Sequence, residues 1–263
     1  MMIENLYIIC VLYNNTVDNI ESLSNFKEIK AKHPNVKIVV VDNSESAYVK
    51  QQSQECAEGL IYIDNDGNKG LSKAYNKAFS NIEDAAFWIM LSDDDTLFSM
   101  EYLENAYNNA MNFSSKVISG IVKTSEAGVL SPLRCNSIRP KAKDFISTAG
   151  KYSDIYCINS GLFIHSSVIN EIGGFDESLF LDMIDYWLMD KLTEKDENRI
   201  EIVEGDILQQ FSGTEKSSKE ALKRRFNIYK KDFLRYCDLT GKSFIYKYGI
   251  IAKRYASILI KSR

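Results

Sequence analysis

Three consecutive aspartates, Asp93, Asp94 and Asp95, close the apolar run in "AFWIMLSDDDT". Carboxylates crowded in this way repel one another unless a cation or solvent relieves them. Asp93 and Asp95 can share one face of a turn, and hard oxygen ligands of this kind suit Mg²⁺ or Mn²⁺ bridging to substrate phosphates. An acidic surface turn that caps a helix beginning near Ser99 accounts for the same residues. A second pair of acids, Asp182 and Asp185 in "GGFDESLFLDMIDYW", lies three residues apart at the expected start of a helix, on roughly one face. Helix capping explains Asp182. Asp185, set between Ile184 and the aromatic pair Tyr186–Trp187, is the candidate general base, because partial desolvation of a carboxylate raises its basicity.

The stretch "DNDGNKGLSKAYNKAF" (64–79) has the look of a calcium loop running into a helix. An EF-hand needs oxygen ligands at the first, third and fifth positions, glycine at the sixth and glutamate at the twelfth. With Asp64 first, Lys69 takes the glycine position and Tyr75 the glutamate position; with Gly67 sixth, Tyr62 becomes the first ligand and Lys73 the last. Neither register closes a cage.

The elements that must position these residues are legible as an alternation. Short β-branched runs at 6–13, 36–42, 60–64 and 86–91 read as buried strands. Between the last two, Leu71, Ala74, Tyr75, Ala78, Phe79 and Ile82 form one stripe at helical spacing. Such alternation predicts an α/β fold with a mostly parallel sheet and helices on both faces. Each strand ends in Asn or Asp: "YNN", "DNS", "DND" and "SDDD". In a parallel sheet these ends gather along one edge, where open α/β sheets bind their ligands.

Composition bounds the rest. The chain of 263 residues is long enough to bury a substantial core, and 45% hydrophobic with 26% charged residues is ordinary for a globular protein. A net charge of −4 argues against a nucleic-acid binder. Five scattered cysteines (10, 56, 135, 157 and 237), without C-x-x-C spacing or a signal peptide, point to reduced thiols and a cytoplasmic setting; Cys10 and Cys157, in apolar runs, read as core residues. Two histidines leave little material for a histidine-based zinc site or a Ser-His-Asp triad. No apolar run is long enough to span a membrane. Residues 215–240 read as a basic amphipathic helix. The stretch 242–263 carries Lys242, Lys247, Lys253, Arg254, Lys261 and Arg263 among aliphatic and aromatic residues, with no acid. That pattern suits a helix lying on an anionic membrane surface, or one packed against the body or at a homo-oligomer interface.

Together these blocks resemble family 2 glycosyltransferases of the GT-A fold, in particular the branch of bacterial rhamnosyltransferases, over roughly residues 5–235. "VLYNN" resembles the family's opening V-x-x-Y-N turn, and "VVVDNSES" its V-D-N-x-S strand end. "NKGLSKAYNKAF" is similar to N-x-G-x-x-x-A-x-N-x-G, and "LSDDDT" matches L-D-x-D-S at both acids. "GGFDESLFLDMIDYW" resembles G-G-F-D-E-x-F-x-x-D-x-x-D. The resemblance implies an inverting transfer from a nucleotide-diphosphate sugar (dTDP-rhamnose or a UDP-hexose) to a glycan or polyprenyl-diphosphate-linked acceptor in surface-polysaccharide synthesis. It implies a donor pocket lined by Tyr13, Asn14, Asp42, Asn43, Asn68, Gly70, Asn76 and Asp94, with Asp42 on the base or ribose. Asp93 and Asp95 would hold Mn²⁺ or Mg²⁺, and Asp185 would deprotonate the acceptor. It also places a catalytic domain at 1–213 and a basic helical appendage at 214–263, at the inner face of the plasma membrane.

The chain departs from the pattern in three places. Ile184–Asp185 stands where many members have Glu-Asp, "QFSG" (210–213) where many have H-x-x-G, and Lys191 where an arginine ends the acidic block. A haloacid-dehalogenase-like phosphatase has D-x-D-G-T after its first strand, but "SDDDT" lacks the glycine and follows the fourth. A pyrophosphorylase's glycine-rich opening is missing from "CVLYNNTVDN". A catalytically inactive sugar-nucleotide-binding module is the non-enzyme alternative.

Overall fold

A computed structural model describes residues 3–124, 128–134, 141–210 and 219–261. Cys135, Arg263, the "FSG" part of the 210–213 motif and the expected domain boundary at 213/214 lie outside the described residues. In chain order the strands are β1 (Asn5–Leu12), β2 (Val36–Asp42), β3 (Ile61–Asp64), β4 (Phe87–Asp93), β5 (Thr96–Phe98), β6 (Val117–Thr124), β7 (Gly128–Ser131), β8 (Gly150–Tyr152), β9 (Phe163–His165) and β10 (Ile200–Gln209). The helices are α1 (Leu23–Lys32), α2 (Ala47–Glu55), α3 (Leu71–Ser80), α4 (Met100–Met111), α5 (Ser166–Ile172), α6 (Ile184–Glu194), α7 (Lys219–Leu239) and α8 (Phe244–Lys261).

The sheet runs β3-β2-β1-β4-β9-β6-β10-β5, with β7 beside β6 and β8 beside β10. Its first four strands are parallel, so their carboxyl ends meet on one edge, as the alternation predicts. Register makes this specific: Leu12 pairs with Asp42, Asp42 with Asp64, and Val11 with Asp93. Beyond β4, the short antiparallel β9 intervenes before β6 and β10, which resume the original direction.

Alternate residues of each central strand feed two separate cores, as the period of two requires. Tyr7, Ile9, Val11, Ile89 and Leu91 face a core built with α3, α5, α6 and α7; Leu6, Ile8, Cys10, Trp88 and Met90 face one built with α1 and α4. The helical stripe on α3 is observed: Ala74, Tyr75 and Ala78 are fully buried, with Leu71, Phe79 and Ile82 packed behind them. Cys10 and Cys157 are core residues, as expected. Phe226, Tyr229, Phe233, Tyr236 and Cys237 of α7 belong to the same core as β1 and α3, so this basic helix is a wall of the body.

α8 is different. Ile251 is buried and Tyr246, Ile250 and Ile258 pack behind it, but Phe244, Ile245, Tyr248 and Tyr255 are exposed on the outer side. Lys247 pairs with Asp238, and the guanidinium of Arg254 lies 3.5 Å from the ring centre of Tyr229. Among the described residues, no helix is long and apolar enough to cross a membrane.

Candidate active site

The turn after β2 is held by hydrogen bonds to its own backbone, to β3 and to the loop that follows β3. Asp42 has no exposed surface; its carboxylate accepts from the backbone N–H of Ser44 (2.8 Å) and the hydroxyl of Tyr62 (2.7 Å). Asn43 is equally committed: its carbonyl oxygen accepts from Asn65 Nδ2 (2.8 Å) and the Lys69 N–H (3.0 Å), and its amide donates to Asn68 Oδ1 (3.1 Å). Asp42 therefore braces this turn and, in this conformation, offers no surface to a base or ribose. Tyr13 and Asn14 are exposed at the end of β1. Asn14 holds a left-handed backbone (φ 52°) while its N–H donates to Ser44 Oγ (2.9 Å).

Two members of the expected donor segment turn inward to the fold. Asn76 donates to the Phe175 carbonyl (2.9 Å) and accepts from the Phe175 N–H (2.9 Å), clamping α3 to the "GGFDE" loop. Gly70 caps α3 at φ 92°; a Cβ there would lie 2.6 Å from the Phe180 ring and 2.7 Å from its carbonyl oxygen. The close approach that demands glycine is to Phe180, whose carbonyl also accepts from Leu71 N–H at 2.6 Å. The loop of the calcium-like stretch is likewise closed by ion pairs, Asp64 with Lys50 and Asp66 with both Lys69 and Lys77.

The acids are held otherwise. Asp93 ends β4, and its N–H donates to Ser160 Oγ (3.3 Å), which in turn bonds Thr96 Oγ1 (2.9 Å). Asp94 accepts from Asn15 Nδ2 (2.8 Å), and its carbonyl takes the Glu21 N–H. α4 begins next to Ser99 as expected, but its cap is Ser99 itself, accepting from the Tyr102 N–H, and not an acid of the turn. Asp185 lies in the first turn of α6, reached through Met183 in a left-handed conformation (φ 65°). Its Oδ1 accepts the N–H of Asn159 (3.3 Å). The adjacent residues Asn159 and Ser160 thus join the two groups of acids. Asp182 does not cap α6; its carboxylate forms a two-pronged pair with Arg225 of α7, one prong at 2.8 Å. Capping fails because Met183 occupies that position.

Asp93, Asp94, Asp95 and Asp185 each keep part of their surface open to solvent, yet protein encloses their carboxyls enough for burial to dominate their titration. Burial, then repulsion from Asp95, Asp185 and Asp94, pushes Asp93 up to about 8. Burial and Asp94 push Asp95 to about 6. Burial raises Asp185 to about 7, against the opposing hydrogen bond from Asn159. The Tyr75 hydroxyl and both side-chain polar atoms of Asn159 are buried without a hydrogen-bond partner. Tyr75 is close enough to Asp93 and Asp185 for both to raise its own pKa, after burial. Beside Asp185 a recess of about 260 Å³, open mouth included, is lined by Leu130, Leu133, Tyr156, Ile158 and Tyr186.

Among the described residues, no group of three or more His, Cys, Asp or Glu side chains is arranged to hold a metal. Mg²⁺ and Mn²⁺ need no such cage, since one or two carboxylates plus substrate phosphates and water complete their shell. The mutually repelling Asp93 and Asp95 fit that requirement.

Comparison with known proteins decides the family. The profile of glycosyl transferase family 2 matches residues 7–171. The chain belongs to that family. It is also similar to the dTDP-rhamnosyl transferase RfbF of Shigella flexneri, 26% identical over 188 residues, which covers 70% of this chain and 62% of that protein. Among solved structures, S. aureus TarS matches with a TM-score of 0.58 at 16% identity, covering 89% of this chain and 40% of TarS. The mannosyltransferase PcManGT from Pyrobaculum calidifontis, solved with GDP-Man and Mn²⁺, matches at 0.57 and 16%, covering 89% of this chain and 64% of its own. The chain thus spans less than two thirds of the length of these proteins. The fold of this family-2 chain is GT-A, as the resemblance implies, and membership removes the phosphatase alternative.

Sequence reasoning missed Asn159, Ser160, Tyr75 as a neighbour of the acids, and the α7 pair Arg225 and Asp232. Asn159 and Ser160 had one cue, a polar dipeptide interrupting the apolar run 155–164.

Proposed function

We propose that this chain transfers a glycosyl unit from a nucleoside-diphosphate sugar to a hydroxyl, with inversion. The observation that carries this reading is the junction at Asn159–Ser160, which ties Asp185 to the strand end bearing Asp93 and Asp95. Leaving-group acids and a base of raised pKa then face one reacting centre. Asp185 takes the acceptor hydroxyl's proton as the new C–O bond forms, and the old anomeric C–O bond breaks to release the nucleoside diphosphate. Direct displacement from the opposite side inverts the anomeric carbon. Asp93 and Asp95 are the residues to hold Mn²⁺ or Mg²⁺, which when bound neutralises the charge of the leaving diphosphate. Tyr13, Asn14 and Asn68 rim the donor side, while Asp42 and Asn43 keep its wall rigid.

The similarity to a dTDP-rhamnosyl transferase favours dTDP-rhamnose as donor; a UDP-hexose is the second candidate, since TarS has been solved with UDP-GlcNAc. The recess with Tyr156 and Tyr186 beside Asp185 suits the apolar face of an acceptor sugar, free or polyprenyl-linked. The exposed apolar side of α8, in a stretch with no acid, suits an anionic membrane carrying such an acceptor. The test is turnover: the protein incubated with dTDP-rhamnose or a UDP-hexose together with a polyprenyl-diphosphate-linked glycan acceptor, with and without Mn²⁺, and release of dTDP or UDP measured. Metal-dependent release from one donor is expected. No release from either, alongside tight binding of both, would leave only a sugar-nucleotide-binding module.

A further inference from the structure

Asp232 sits in "YKKDFLRY", an acid among lysines near the middle of α7, and it has no exposed surface. Its carboxylate accepts three successive backbone N–H groups from the segment that precedes Asp185: Phe180 on Oδ1 (3.0 Å), then Leu181 (2.7 Å) and Asp182 (2.8 Å) on Oδ2. Seven residues earlier on the same helix, and so on the same face, Arg225 grips the Asp182 side chain with both prongs. α7 therefore holds both the backbone and a side chain of residues 180–182. The segment's other side is bolted to the donor half of the molecule, because Phe180 accepts from Leu71 N–H and leaves no room for a Cβ on Gly70. Only Met183, in a left-handed turn, and Ile184 separate this clamped segment from Asp185.

We propose that Asp232, with Arg225 as its auxiliary, is a positioning residue that fixes the Asp185 carboxylate relative to the donor. The proposal rests on reading Asp185 as the base. An ionised carboxylate can accept from three amides at once, whereas an asparagine of the same shape offers one oxygen and turns an N–H₂ toward amides that need an acceptor. A base displaced by even an ångström loses on the order of 10²-fold in rate while a donor bound elsewhere is unaffected.

The test compares Asp232→Asn, Asp185→Asn and the double variant, reading kcat, donor KM and donor affinity well below the melting temperature of each. Asp232→Asn is expected to lower kcat by roughly 10- to 100-fold, with donor KM and affinity within about twofold. In the Asp185→Asn background it should lower residual turnover no further, because a residue that acts only through the base has nothing left to align. An equal proportional loss in both backgrounds, a parallel loss of donor affinity, or an unchanged kcat would each overturn the proposal. If Asp232→Asn does not fold, Arg225→Gln on the half-exposed end of the clamp takes its place, with the same pattern expected at smaller amplitude. Near-wild-type turnover in Asp185→Asn alone would instead overturn the reading of Asp185 as base, which keeps the two failures distinct.

Discussion

The two halves of the site's rim solve opposite problems with the same residue types. On the β1–β3 side, Asp42, Asn43 and Asn76 have committed partners within the fold, and their polar atoms are spent on shaping turns. On the β4–α6 side, Asp93, Asp95 and Asp185 are crowded, partly desolvated and held protonated to unusually high pH, next to buried polar atoms without partners. A satisfied polar network rigidifies a wall, whereas an unsatisfied one stores free energy that a ligand can release. An aspartate or asparagine at a strand end is therefore not by itself a ligand-binding group; what its atoms already touch decides.

The comparison breaks most visibly at Asp185. Asp185→Asn is expected to cut turnover by about 10²–10⁴-fold and leave nucleotide binding intact, measured by product release and calorimetry; turnover near wild type would remove it from the chemistry. On the opposite side, Gly70→Ala should cost about 2–4 kcal/mol in chemical denaturation, because the new Cβ meets Phe180 at 2.6 Å and the backbone stays at φ 92°. Unchanged stability would mean that the α3–Phe180 contact is looser than described. Asn76→Ala should cost about 1–3 kcal/mol by stranding Phe175, with donor affinity unchanged. A selective loss of donor affinity at constant stability would return Asn76 to the donor pocket.

A further expected effect concerns pH. Asp93, Asp95 and Asp185 bind protons more tightly folded than unfolded, so between their ordinary carboxylate range and about pH 8 the folded state carries the extra protons. Stability of the metal-free protein must then fall as pH rises through this window, with most of the acids' contribution present near pH 4. Melting curves from pH 5 to 8 should show a decline that Asp93→Asn lessens; a rise across that window would contradict the shifts.

The strands and the α3 stripe were legible because period and β-branching report burial directly: β2 spans the expected residues, and β1, β3 and β4 differ only at their ends. The gathering of four polar strand ends followed from parallel pairing alone. Which of those residues stay available for a ligand was not legible, since the Asn76–Phe175 bonds join residues 99 apart in sequence. For the same reason Asp182 read as a helix cap, although the left-handed Met183 takes that place and Arg225, 43 residues on, takes the carboxylate. Asp232 left a cue that was not used: an acid in a basic helical stretch, three residues after Tyr229 and four before Tyr236, and so on that helix's apolar stripe.

The central claim, that the acids at the end of β4 serve the leaving diphosphate while Asp185 serves the acceptor, is tested most directly by one calorimetric series. Wild type, Asp93→Asn and Asp185→Asn are titrated with dTDP and with UDP, each with and without Mn²⁺. The account predicts metal-dependent binding of one nucleotide by wild type and Asp185→Asn, and loss of the metal dependence in Asp93→Asn. Equal affinity of all three proteins in Mn²⁺ would contradict it.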